Sequence, residues 1–78
     1  RMEREEFKIE DKMDELERLL VSNKTFNFTS LLERTKSKSE CIVMFLAMLE
    51  LSRNHRIKVS QRDIFSEIIV EMGETDGR

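Results

Sequence analysis

Residues 41–51 are Cys41-Ile42-Val43-Met44-Phe45-Leu46-Ala47-Met48-Leu49-Glu50-Leu51, the longest apolar run of the chain. On a helix that turns roughly 100° per residue, these apolar side chains cover an arc of about 260°, far wider than the roughly 100° stripe of an ordinary surface helix. The run therefore predicts a helix covered on most sides, by its own domain and by a further contact. It is too short to cross a bilayer, which takes about 20 apolar residues.

The residues before this run provide a helix start. Ser37-Lys38-Ser39-Glu40 has the spacing of a capping box, in which the Ser37 hydroxyl accepts the N–H of Glu40 and the Glu40 carboxylate reaches back. At the far end, Arg53 suits the negative pole of the helix, and Asn54 suits the left-handed conformation that stops it.

An amphipathic helix is predicted upstream, from about Glu10 to the segment 21–24. Its stripe has spacings of four, three and four residues and consists of Ile9, Met13, Leu16 and Leu20. Just before it, residues 7–9 alternate in the manner of a short strand.

The segment between the two helices predicts an extended stretch and a short third helix. Residues 25–28 place two phenylalanines on one side of the extended stretch. Thr29 or Ser30 is expected to cap the short helix, which Leu31 and Leu32 anchor.

The residues after the apolar run predict a β-hairpin. Residues 57–61 alternate as a half-buried strand, residues 61–64 form the turn, and residues 65–70 form the second strand. Three helices followed by a two-stranded wing make a small α+β winged helix, with the apolar helix in the recognition position. We expect a flexible N-terminal segment at 1–6, the domain at 7–72 and a polar tail at 73–78.

The composition fits one small soluble domain. The chain has 78 residues, of which 38% are hydrophobic and 38% charged, and its single cysteine predicts a buried thiol in a reducing compartment. Residues 21–62 carry eight basic and three acidic side chains, whereas both ends are acidic. The chain begins at Arg1 without an initiator methionine, so we expect a piece of a longer protein.

Catalytic residue patterns are not apparent in the sequence. His55 is the only histidine, Cys41 has no cationic cluster beside it, and Gly73 and Gly77 lie in the tail rather than in a phosphate-binding loop. We therefore predict a protein that is not an enzyme and uses no cofactor or metal.

The apolar helix is expected to divide into a core side and a docking side. We expect Ile42, Phe45, Leu46 and Leu49 to pack inside, with Phe45→Ala costing the 3–5 kcal/mol typical of a buried phenylalanine. The predicted partner contacts are Val43, Met44 and Met48 on the helix, with Lys58, Gln61 and Ile69 on the wing. The face expected to meet a ligand offers few groups that read base edges, so a protein partner is favoured.

Four stretches carry a family resemblance: residues 25–32, 42–51, 57–61 and 64–68. Together they closely resemble the C-terminal domain of segregation and condensation protein A, the bacterial kleisin of the SMC complex. The pattern Phe-Leu-Ala-x-Leu-Glu-Leu at 45–51, then Val-x-Gln at 59–61 and Phe-x-x-Ile at 65–68, is the specific part. The resemblance departs from the family at Ser66, Glu67 and Ile69.

The resemblance implies a non-catalytic docking module. Such a domain docks on one SMC ATPase head, while other parts of the kleisin contact the second head and wrap a second accessory subunit. Those other parts are absent from this sequence, so binding of the accessory subunit is not expected of it. The resemblance also implies a cytoplasmic, nucleoid-associated protein without a membrane or a sequence-specific nucleic-acid partner.

Two alternatives stay open from the sequence. One is a winged-helix DNA-binding module that uses the basic region 24–62. The other is a dimerisation domain that buries its methionine face, Met44 and Met48.

Overall fold

The computed structural model describes residues 6–73, which form three helices and three strands. In chain order these are α1 (Ile9–Asn23), β1 (Thr25–Asn27), α2 (Phe28–Glu33), α3 (Lys38–Arg53), β2 (Ile57–Ser60) and β3 (Ile69–Met72). This architecture confirms the α+β class and the order of a small winged helix. Residues 1–5 and 74–78, which make up most of the expected N-terminal segment and tail, lie outside the described residues.

The sheet is antiparallel and has the strand order β1-β3-β2. Val70, in the central strand, lies opposite Phe26 on one side and Val59 on the other. The prediction of a two-stranded wing therefore missed a third strand, because β1 pairs with β3. The Thr25 hydroxyl also donates to the Val70 carbonyl, 45 residues along the chain, at 3.0 Å. A pairing over this distance leaves no local signal in the sequence.

The core lies where α1, α2 and α3 pack against the sheet. Its members are buried apolar side chains from nearly every element: Leu16, Leu20, Phe28, Met44, Ala47, Met48, Leu51, Ile57 and Val70. The predicted stripe of α1 is confirmed, with Leu16 and Leu20 buried and Ile9 and Met13 packed at the edge. Burying such a stripe is the main source of helix stability in a small domain.

Several local predictions are wrong by a few residues. Residues 7–9 form no strand, because Ile9 already begins α1. The short helix begins at Phe28, since the Asn27 side chain, rather than Thr29 or Ser30, accepts the Ser30 N–H at 3.0 Å.

The end of α3 and the start of β3 also differ from the predictions. Asn54 has an ordinary φ of −88°, and the left-handed position is His55, with φ 61°. The second wing strand begins at Ile69 rather than Phe65. Ile68 N–H instead bonds the Thr29 hydroxyl at 2.9 Å, so the connection between β2 and β3 covers residues 61–68.

A buried cation joins α1 to the start of α3. The predicted Ser37 cap is confirmed, as its hydroxyl accepts the Glu40 N–H at 3.0 Å. The Glu40 carboxylate reaches back one residue further than in a standard capping box, to the Lys36 N–H at 3.0 Å. Lys12 Nζ then donates to Glu40 Oε2 at 2.9 Å and to Glu15 Oε2 at 3.2 Å. One carboxylate thus holds the helix cap and the neighbouring helix together.

Both partners of this bridge have shifted pKa values. The Lys36 N–H, followed by the Lys12 ammonium, lowers the pKa of the Glu40 carboxyl. Burial by itself would lower the pKa of Lys12, but its hydrogen bonds to Glu40 and Glu15 outweigh burial and raise it. The Glu40 contribution to stability is therefore present above its unfolded pKa and is lost as the pH falls through its lower folded pKa. The Lys12 contribution is present below its unfolded pKa and is lost as the pH rises through its higher folded pKa.

Glu40→Gln is expected to lower the free energy of unfolding by about 1–2 kcal/mol at pH 7, because a charge-assisted bond and part of a cap are weakened. It should also flatten the loss of stability between neutral and acid pH. Urea unfolding at pH 7 and pH 3 measures both effects, with Glu15→Gln as the control, since Glu15 is the more exposed partner. A variant with an unchanged acid profile would contradict this role.

Gly73 sits against the start of β2 rather than in a tail. Its N–H donates to the Arg56 carbonyl at 3.0 Å, so the pairing of the two strands continues past Met72. A Cβ at this position would lie 2.6 Å from the His55 carbonyl oxygen and 2.8 Å from the Arg56 carbonyl carbon. These are backbone atoms, which cannot turn away as a flexible side chain would.

Gly73→Ala is therefore expected to lower the free energy of unfolding by about 1–3 kcal/mol through steric overlap. Thermal unfolding monitored by circular dichroism measures the loss. Glu71→Ala, at an exposed position of β3, is the matched control and should stay within about 0.5 kcal/mol. Equal stability of the two variants would contradict this prediction. It would show that β3 can move away from the start of β2 at Gly73 without lowering the free energy of unfolding.

Candidate protein-docking surface

One face of α3 is fixed in the core. Met44, Ala47, Met48 and Leu51 follow the i, i+3, i+4, i+7 spacing, and Met44 and Met48 are each only 3% exposed. The prediction that the methionine flank faces a partner is therefore wrong, because this flank contributes to the core with Leu16, Leu20 and Phe28. A dimer built on the same methionine face is contradicted for the same reason.

The opposite face of α3 carries four apolar side chains to the surface. Ile42, Phe45, Leu46 and Leu49 have the same i, i+3, i+4, i+7 spacing and are 52%, 38%, 43% and 46% exposed. We call this set the α3 strip. The two sides of the helix are thus exchanged relative to the prediction, since the strip was expected inside.

Phe45 is the most deeply seated member of the α3 strip. Its ring packs on the buried ring of Phe28, with centroids 6.1 Å apart and planes inclined at 41°. Such aromatic pairs contribute about 0.5–1.5 kcal/mol beyond burial. The strip is therefore anchored on the core while its outer surface stays accessible.

A groove of about 530 Å³ lies beside the C-terminal half of the α3 strip, at Leu46 and Leu49. Its floor is apolar and comes from α1 and α3, and its border is charged; the lining consists of Ile9, Glu10, Met13, Leu46, Leu49, Glu50 and Arg53. Arg53 Nη2 pairs with Glu50 Oε2 at 2.9 Å at this border. The strip and groove together give a ridge and a recess of the kind that protein interfaces use.

The remaining predicted contacts lie outside the α3 strip. Val43 is half-buried, Lys58 is exposed on β2 opposite Glu71, and Ile69 is partly exposed in β3. Gln61 is exposed, and its side-chain amide donates to the Ser66 carbonyl at 2.7 Å, so it shapes the loop of the wing. The structure brings Gln61 and Ile69 to one hollow of the wing and does not bring them to the α3 strip.

The tip of the wing is a surface that the sequence analysis missed. Ile64 and Phe65 are 79% and 90% exposed. The turn that carries them is hydrogen-bonded, as Asp63 Oδ1 accepts the Phe65 N–H and the Asp63 carbonyl accepts the Ser66 N–H, both at 2.9 Å. Asp63 could have indicated this turn in the sequence, because aspartate side chains often accept a hydrogen bond from the backbone N–H two residues later.

The described residues offer little for other kinds of site. Within residues 6–73 no group of three or more His, Cys, Asp and Glu side chains could hold a metal ion, and no helix is long and apolar enough to cross a membrane. Cys41, expected to be buried, is only half-buried. The fold and the exposed apolar strip thus define a small winged-helix-like α+β domain with a surface suited to a protein partner.

Comparison with known proteins then identifies the family. The family model described as Segregation and condensation protein ScpA matches residues 2–73, and the chain belongs to this family. Proteins called segregation and condensation protein A are 44% identical over 94% of this chain in Clostridium tetani and 43% identical over 83% in Clostridium acetobutylicum. The relative in Lactococcus lactis is 39% identical over 91% of the chain. The chain spans 29%, 26% and 29% of these relatives in turn, which is less than a third of their length.

Phe28→Ala is expected to cost about 3–5 kcal/mol of unfolding free energy, because this ring is fully buried. Phe45→Ala should cost only about 1–2 kcal/mol, since a large part of its ring is already in water and the main loss is the contact with Phe28. Urea denaturation of both variants measures the difference. Equal losses would mean that Phe45 belongs to the core after all.

Proposed function

We propose that this chain is the C-terminal winged-helix domain of a segregation and condensation protein A and that it docks on an SMC ATPase head. The observation that carries the proposal is the α3 strip, four apolar side chains exposed along the helix that winged-helix proteins present to their ligands. Membership of the family supports the identity of the partner. In this role the domain is non-catalytic and helps the whole kleisin bridge two heads during chromosome segregation and condensation.

The α3 strip suits a protein partner better than duplex DNA. A helix that reads base edges needs Arg, Lys, Asn or Gln side chains on its exposed face, whereas this face carries Ile42, Phe45, Leu46 and Leu49. Two of the basic residues nearby are already paired, Arg53 with Glu50 and Arg56 with Glu17 at 2.6 Å. The basic region 24–62 is therefore the weaker basis for a function.

The wing provides a second set of proposed contacts. Lys58, Gln61 and Ile69 remain proposed contacts. Phe65 is added to them because it is a highly exposed aromatic ring on a hydrogen-bonded turn, and aromatic side chains are frequent anchors of protein interfaces. Met44 and Met48 leave the proposal because their side chains are buried. Contact with the second accessory subunit is proposed for regions of the kleisin other than this domain, and the protein is expected in the cytoplasm at the nucleoid.

The test is a titration of the chain with the isolated SMC head of the same organism. Leu46→Glu with Leu49→Glu should weaken binding by about 30-fold or more, since two apolar contacts are replaced by charges that the interface would have to bury. Both positions are partly exposed, so circular dichroism should show a folded variant. Val21→Glu places the same change at an exposed apolar position of α1 and is the matched control.

Two results would contradict the proposal. Wild-type affinity of the double variant would remove the α3 strip from the interface. Failure of the unaltered chain to bind the head, together with salt-sensitive binding of duplex DNA, would instead support the nucleic-acid function.

A further inference from the structure

A second groove lies between α1 and α2, away from the α3 strip. It has a volume of about 440 Å³ and is lined by Glu15, Arg18, Leu19, Ser22, Leu31 and Arg34. We call it the arginine groove. The recess beside the α3 strip uses Ile9 and Met13, so the two surfaces occupy different faces of α1.

The charge of the arginine groove is positive. Arg18 and Arg34 are exposed, and neither forms an ion pair with a carboxylate of residues 6–73. The one acidic side chain of the lining, Glu15, is held by Lys12 Nζ at 3.2 Å. Two guanidinium groups therefore outnumber the one carboxylate of the lining, which shares the Lys12 ammonium with Glu40.

The floor of the arginine groove is apolar. Leu19 and Leu31 both remain partly exposed there. Nucleic-acid backbones are bound by polar and cationic groups, and an apolar floor between two arginines contributes nothing to phosphate contacts. A peptide with both apolar and acidic side chains can cover the leucines of the floor and pair with the arginines of the border at the same time.

We propose that the arginine groove binds an acidic segment of a partner protein. Apolar side chains of that segment cover Leu19 and Leu31, while its carboxylates pair with Arg18 and Arg34. The planar guanidinium group binds a carboxylate through two parallel hydrogen bonds, which a solvated lysine cannot reproduce. This surface is separate from the α3 strip, so the acidic segment and the proposed head docking do not compete for the same side chains.

The probe is a synthetic helix-forming peptide of about 14 residues, with leucines at i, i+3, i+4 and i+7 and glutamates beside them. A second peptide keeps the leucines and replaces each glutamate with lysine. In titrations of the isotope-labelled chain, the glutamate peptide should shift the amide signals around Arg18 and Leu31. It should bind about tenfold or more tightly than the lysine peptide, and the preference should shrink as salt is added.

Charge reversal tests the two arginines directly. Arg18→Glu with Arg34→Glu should weaken binding of the glutamate peptide by about tenfold or more, and both positions are exposed, so the variant should fold. Arg62→Glu makes the same kind of change on the exposed wing and should leave the affinity within about twofold. Arg18→Lys with Arg34→Lys keeps the charge and should retain part of the binding.

The proposal is overturned if the two peptides bind equally or if the double reversal changes nothing. It is also overturned if the peptide shifts the amide signals of the α3 strip instead. The same holds if the double reversal weakens the binding of duplex DNA but not that of the glutamate peptide. None of these results depends on whether the SMC head binds the α3 strip.

Discussion

Burial of one face of α3 positions most of this domain. Met44, Ala47, Met48 and Leu51 share one core with side chains of α1, α2, β2 and β3, and α3 itself contacts α1, α2 and β2. These four side chains make up nearly half of the nine-residue core, so this face of α3 is its largest single contribution. Burial of this face fixes the orientation of α3 about its own axis.

The orientation of α3 about its axis determines which of its side chains reach the protein surface. With the methionine face inside, the strip from Ile42 to Leu49 must lie outside, although its side chains are equally apolar. Exposed apolar rows of this kind cost solubility unless a partner covers them, and a protein that spends most of its time in a complex can retain one. The strip is the direct consequence of a helix that is too apolar for a domain of this size.

The polar interactions keep this arrangement in register. Glu40 accepts the Lys36 N–H just before α3 and also binds Lys12 of α1, so turning α3 about its axis would break the ion pair between the two helices. At the other end, the close approach of Gly73 to His55 and Arg56 holds β3 against the start of β2. Buried polar groups of this kind specify one packing among several with similar apolar burial.

Local patterns in the sequence determined the elements and their order. The stripe of α1, the helix cap at Ser37 and the alternation at Ile57 each follow from neighbouring residues, and each is found in the structure. Only the tertiary structure decided which side of α3 is buried, that β1 adds a third strand, and that Phe65 stands at an exposed wing tip. The physical reason is that an apolar arc of about 260° has no distinct inner side, and strand pairing across 45 residues depends on contacts that no local pattern encodes.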